Sequence, residues 1–247
     1  MASQRKTTRA SKAKAGTHAI QHQKSSQWGE SYGINKITLT DSQKVLAQKI
    51  HENTLTFVEG PAGSGKTMSI LYTFIKEYMR DTSKQIIVIR TPVEAGMDKI
   101  GALPDDLKAK TEPHFQSTKL LLETLLTKGK VETDMDHRIH FKIPNYCIGS
   151  TFDNALVLVD EAQQLPPLIL KLLLERTGIN SKVVITGDST QLYVDAKNRN
   201  GLRDCIPRFF TDTKQPKYDD IAYHKFEIED IMRSDIVKSV VRAYTGL

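Results

Sequence analysis

The 247-residue chain is 39% hydrophobic and 26% charged, ordinary proportions for a folded globular protein, with a formal net charge of +6. It has no uninterrupted apolar run of about 18 residues and no apolar core after its basic first residues, so neither a transmembrane helix nor a secretory signal is expected. Its two cysteines, Cys147 and Cys205, cannot form a paired-cysteine metal site and read as buried thiols in a reducing, cytoplasmic compartment.

Residues 1–36 hold Arg5, Lys6, Arg9, Lys12, Lys14, Lys24 and Lys36 against one acid, Glu30. Seven basic residues less one acid account for the whole formal excess of +6. Apolar residues are too sparse here to offset the entropy of ordering, so a disordered tail is expected. It suits either an arm on nucleic-acid phosphates or a solvated tail. Trp28 and Tyr32 suit stacking on bases or docking onto the folded part.

The folded part is expected from Ile37 onward. Thr40-Asp41-Ser42-Gln43 has capping-box spacing, predicting a helix through about His51. Gln43 thereby has two readings, a reach back to the helix cap or an adenine-reading amide just upstream of a phosphate loop. Leu55–Val58 is a short β-type run. Then Gly60, Pro61, Ala62, Gly63, Ser64, Gly65, Lys66 and Thr67 fit G-x-x-x-x-G-K-[ST], and Met68–Ile75 opens a helix. Strand, glycine loop and helix start are the parts a phosphate cradle needs. Backbone N–H groups and the helix N-terminus favour an anion there. Lys66 would reach the β- and γ-phosphates of ATP, Thr67 would ligate Mg2+, and residues 60–68 including Met68 would line the nucleotide.

Three more apolar runs, Gln85–Arg90, Ala155–Val159 and Lys182–Thr186, read as strands covered on both faces. Helical stretches at about 67–80, 116–129 and 166–178 separate them. The alternation predicts an α/β fold with a mostly parallel central sheet flanked by helices. Thr91–Pro113, punctuated by proline and glycine, is expected to be irregular. Val131–Thr133 and Arg138–Ile143 bracket Asp134–His137, predicting a β-hairpin insertion. Arg138, His140 and Lys142 would alternate on one of its faces, as a phosphate-contacting edge or a solvated one.

Asp160-Glu161 ends the strand Ala155–Val159. Beside a phosphate loop, Asp160 suits a Mg2+-holding carboxylate and Glu161 a general base on the attacking water. Thr186–Gln191 ends the next strand, where Asp188 and Gln191 can face the catalytic centre and Gln191 can sense the γ-phosphate.

Taken in order, the stretches Gly60–Thr67, Arg90–Gly96, Gly101–Leu107, Val159–Gln163, Ile185–Gln191, Gly201-Leu202 and Phe226–Arg233 carry a specific resemblance. Val237 and Ala243-Tyr244 also fit. Over about residues 37–247 the chain resembles the PhoH-like (phosphate-starvation-inducible) family. The ATPase core of that family is similar to the first RecA-like domain of superfamily-one helicases. The resemblance implies a single RecA-like P-loop NTPase domain that hydrolyses ATP, with single-stranded RNA or DNA as partner, and it favours the adenine-reading role of Gln43. The chain departs from many relatives at Thr91, between Arg90 and Pro92, and at Leu192–Ala196, which replaces a Pro-Arg-Gly turn.

Only 56 residues follow Gln191, with no second P-loop-like half. The sequence therefore suggests a homo-hexameric ring in which Arg233 from a neighbour completes each site. Arg233 is expected on a C-terminal helix, Glu229–Tyr244, and Arg203 is the second candidate. The leading function is a Mg2+-dependent ATPase on single-stranded nucleic acid, as a helicase or translocase. The alternatives are a small-molecule kinase and an ATP-gated assembly module.

Overall fold

A computed structural model of the chain describes residues 35, 37–91, 107–191 and 200–245, the side chains of 107–110 and 245 excepted. The basic segment, save Asn35, therefore lies outside the described residues, as do 92–106 and the Leu192–Ala196 departure.

Helix α1 (Asp41–Glu52) starts where the capping box predicts. The Gln43 N–H donates to Thr40 Oγ1 at 3.3 Å, and the Thr40 N–H to Gln43 Oε1 at 3.1 Å. Strand β1 (Leu55–Glu59) leads through the glycine loop into α2 (Lys66–Arg80), then β2 (Gln85–Arg90). Next come α3 (Leu107–Leu125), α4 (Lys128–Asp134), β3 (Ile139–Lys142), β4 (Ala155–Asp160), α5 (Pro167–Leu174) and β5 (Lys182–Gly187). The chain continues with α6 (Gly201–Phe209), β6 (Ile221–Lys225) and α7 (Asp235–Thr245).

The six strands form one sheet in the order β3-β2-β4-β5-β1-β6, and every neighbouring pair is parallel. Successive side chains in a strand point to opposite faces, so two cores form. Val58, Val88, Leu158 and Val184 pack under α1, α2 and α3, whereas Phe57, Ile89, Val159 and Ile185 pack under α5 and α6. Strand β4 is buried along its whole length, as a continuous apolar run requires.

Several expectations fail. The hairpin is absent: Val131–Thr133 belong to α4, capped by Thr127 Oγ1 accepting from the Lys130 N–H. Ile139–Lys142 instead pairs parallel with β2 at the sheet edge. Arg138 is not a phosphate-contacting edge residue, because it donates to the backbone oxygens of Tyr78, Asp81 and Lys84 and lies 3.9 Å over the Tyr78 ring. It is a structural joint. Helicity also begins at Leu107, inside the stretch read as irregular, despite Pro113.

The C-terminal helix is shorter than expected. Ile228–Asp230 forms a 3-10 turn and α7 starts only at Asp235, leaving Arg233 in the connection between them. Strand β6, which the sequence did not suggest, fills the far edge of the sheet. Its His224 is buried, with Nε2 3.2 Å from Ser42 Oγ and its ring edge-on to Phe226. Burial, with Lys49 adding and Asp230 opposing, pushes the His224 pKa down to about 4.

An unfolded histidine titrates near 6.5. The folded value is lower, so the stabilisation is complete above about pH 6.5 and is lost as pH falls towards 4. Relative to wild type, His224→Gln should lose less stability over that range, by on the order of 2 kcal/mol. Parallel melting curves across pH 4–7 would assign the acid sensitivity to another group.

Candidate active site

Strands β4, β5 and β1 are neighbours, so their carboxyl ends bring Asp160-Glu161, Gly187–Gln191 and Gly60–Thr67 side by side. This is where open parallel sheets bind ligands. Gly65, at φ 79°, turns the loop into α2 in a left-handed conformation that a side chain would strain. Lys66 opens the helix, and its Nζ donates to the Gly60 and Pro61 carbonyls at 2.6 and 2.9 Å. Burial lowers its pKa, while Asp188, Glu161 and Asp160 oppose the shift. The ammonium therefore sits among the acids that the sequence singled out. Thr67 and Met68 follow it, half-buried, in the first turn of α2.

Asp160 is buried at the end of β4, and its pKa is pushed up to about 6 by burial and then by Glu161, against the pull of Arg90. Glu161 adopts the left-handed conformation, φ 54°, rare for a residue with a side chain and concentrated at functional sites. The bend lifts its carboxylate out of the strand. A guanidinium that the sequence did not single out for a role, Arg90, holds both acids: Nη1 lies 3.7 Å from Asp160 Oδ2 and Nη2 3.7 Å from Glu161 Oε1. Register explains the meeting, since Arg90 pairs with Asp160 across β2 and β4.

Gln163 is the second residue the sequence left without a role. Its Nε2 donates to Glu161 Oε2 at 2.7 Å, and its Oε1 accepts from the Asp188 N–H at 3.2 Å. A carboxylate only accepts and an N–H only donates, so the two partners fix the amide's orientation. Gly187 leaves room for it, because a Cβ there would clash with Gln163 Oε1. Asp188 Oδ1 accepts from the Thr190 N–H and hydroxyl, and the Gln191 N–H donates to Asp188 O at 3.1 Å. One amide thus ties the Gln191 turn to Glu161. Gln163→Met, similar in size but without these bonds, should lower the hydrolysis rate about 10-fold or more while nucleotide affinity changes less than threefold. Steady-state rates and fluorescent-nucleotide titration check this.

Gln43 lies against the phosphate loop. While Gln43 Oε1 serves the helix cap, Nε2 faces the loop, 3.4 Å from Ser64 O and 3.3 Å from Met232 Sδ. The segment before α7 covers the loop, with the Met232 N–H donating to Gly63 O at 3.0 Å. A Cβ at Gly63 would meet the Arg233 side chain at 2.9 Å. Arg233 therefore lies on the phosphate loop of its own chain, not on a helix projecting towards a neighbour.

The donors around Asp160 suit a hard divalent ion such as Mg2+. They are the carboxylate itself and, beside it in register on the same sheet face, a buried Thr186 hydroxyl that has no partner among the described residues. When bound, such an ion neutralises developing phosphate charge. An apolar groove of about 920 Å³ lined by Leu168, Leu174, Phe209 and Ile221 opens near the amino ends of β1 and β6, away from these groups.

The profile described as PhoH-like protein matches residues 36–245. The chain belongs to the PhoH-like family. It is 31% identical over 206 residues to a PhoH-like protein of Synechocystis sp., covering 83% of this chain and 61% of that one. A Bacillus subtilis PhoH-like protein shares 32% over 206 residues, at 83% and 62% coverage. Protein PhoH of Escherichia coli shares 28% over 208 residues, at 83% and 57%. The chain thus spans about three-fifths of the length of these curated relatives. Among solved structures, the large terminase of a thermophilic bacteriophage superposes with TM-score 0.52 at 11% identity, covering 83% of this chain and 50% of that one. A second crystal form of that terminase, in complex with ADP, aligns at TM-score 0.50 and 12% identity, with the same coverage. These likenesses show a RecA-like P-loop fold.

Proposed function

We propose that this PhoH-like chain is a Mg2+-dependent ATPase that acts on single-stranded RNA or DNA as a helicase or translocase. The observation that carries the hydrolytic reading is the convergence of Lys66, Asp160, Glu161 and Asp188 at three adjacent strand ends, with Glu161 held by Gln163. In this reading Lys66 leaves the Gly60 and Pro61 carbonyls for the β- and γ-phosphates. Asp160 and Thr67 hold the ion, Glu161 orients the attacking water and accepts its proton, and Gln191 senses the γ-phosphate. The Gln43 amide reads the adenine edge.

The basic segment 1–36, preceding an ATPase domain at 37–247, supports a polyanionic partner. Cys147 and Cys205, free and buried, suit a cytoplasmic setting. Among the described residues no helix is long and apolar enough to cross a membrane. The reading includes a homo-hexameric ring in which Arg233 of one copy, or Arg203 at the start of α6, both exposed, completes a neighbour's site.

ATP turnover with and without single-stranded RNA and DNA tests the proposal. Several-fold stimulation supports the motor. Phosphate transfer to a metabolite would establish the kinase alternative, and nucleotide binding without turnover the assembly module. Elution as a monomer at every concentration would remove the ring.

A further inference from the structure

Thr186 is fully buried, and its Oγ1 makes no hydrogen bond among the described residues. A buried hydroxyl without a partner is costly, so a folded chain that keeps one calls for an explanation. Its position supplies one. Val184 packs in the core beneath α2, and Thr186, two residues on, continues that face. Val159 pairs with Ile185, so one step further along the parallel strands Thr186 comes beside Asp160. On its other side Thr186 pairs with Val58, two residues before the phosphate loop. The hydroxyl thus lies in the floor between the β4 carboxylate and the loop that receives phosphates.

We infer that Thr186 is a positioning residue for the divalent ion of the bound nucleotide, its hydroxyl holding a water ligand of that ion. This rests on the proposed role of Asp160. Magnesium sheds its waters reluctantly and relies on one or two carboxylates plus phosphate oxygens, so its remaining waters need partners from the protein. Groups that orient such ligands typically change metal affinity 10–100-fold when removed.

A built-in comparison exists. Thr56 is buried with a hydroxyl that likewise has no partner among the described residues, on the same sheet face, but it pairs with Val184 and Ala222, one step deeper and away from the carboxylates. Thr→Val at either position removes the hydroxyl and keeps the shape.

The test reads two quantities on the full chain. These are the melting temperature without ligand and the Mn2+ dissociation constant of the protein–ADP complex, measured by electron paramagnetic resonance. Both Thr186→Val and Thr56→Val should melt at or above the wild-type temperature. Only Thr186→Val should weaken Mn2+ binding, about 10–100-fold, with ADP affinity in chelator unchanged, and Thr186→Ser should restore it. Equal Mn2+ affinity in Thr186→Val and wild type, with Asp160→Asn impaired, overturns this inference alone. Unimpaired Asp160→Asn, or no Mn2+ binding by wild type, overturns the ion site itself. A Thr186→Val protein that melts well below wild type assigns the hydroxyl to the fold and also overturns the inference.

Discussion

A Glu161→Gln variant should bind ATP as wild type does and lose hydrolysis by about 10²–10⁴-fold, the range that a positioned general base contributes. The substitution is nearly isosteric, and the new amide oxygen can still accept from Gln163 Nε2, which now sits 2.7 Å from Glu161 Oε2. The left-handed bend at residue 161 and the contacts of Asp160 need not change, so the loss should fall on turnover and spare affinity. Single-turnover hydrolysis alongside fluorescent-nucleotide titration separates the two. Hydrolysis within threefold of wild type would move the base elsewhere.

Lys66→Ala should have the opposite profile, impairing binding and turnover together. Without nucleotide, Lys66 spends its donors on the Gly60 and Pro61 carbonyls, and burial already disfavours its charge. Its loss should therefore cost the fold little, and the melting temperature should stay within a few degrees of wild type. For the triphosphate, the loss removes a charge-assisted donor aimed where negative charge accumulates, which lowers turnover by about 10²–10³-fold. ATP affinity should fall at least about tenfold, about 1.4 kcal/mol. A folded Lys66→Ala protein with normal turnover would mean that the loop does not cradle the reacting phosphates.

Much of the site was legible because its parts are local. Residues 55–67 encode strand, glycine turn and helix start in sequence, and the structure reproduces each as β1, loop and α2. The capping reading of Gln43 is local too, and the structure realises it. The misread elements are those where local preference and setting diverge. Val131–Thr133 looked like strand from its β-branched residues, yet the Thr127 cap, and an Asp134 that accepts from Lys130 and from the Tyr78 hydroxyl, make it helical. Strand β6 went unseen because His224 and Lys225 blur its apolar pattern, while pairing with β1 along its whole length makes it a strand.

By itself the sequence determined which chemical groups the chain carries and the order of strands and helices that holds them. Apolar runs, capping residues and glycines act over a few residues and need no distant partner to be read. Strand order was decided only in three dimensions, and with it the company each group keeps. Arg90 meets Asp160 because β2 lies beside β4, Gln163 meets the Asp188 N–H because β4 lies beside β5, and Thr186 reaches the floor of the site through the same pairing. Arg233 lies against its own phosphate loop because the Met232–Gly63 hydrogen bond brings the segment before α7 there. Such contacts join residues from about 25 to 170 positions apart, where only the packing of two cores against one sheet sets the distance.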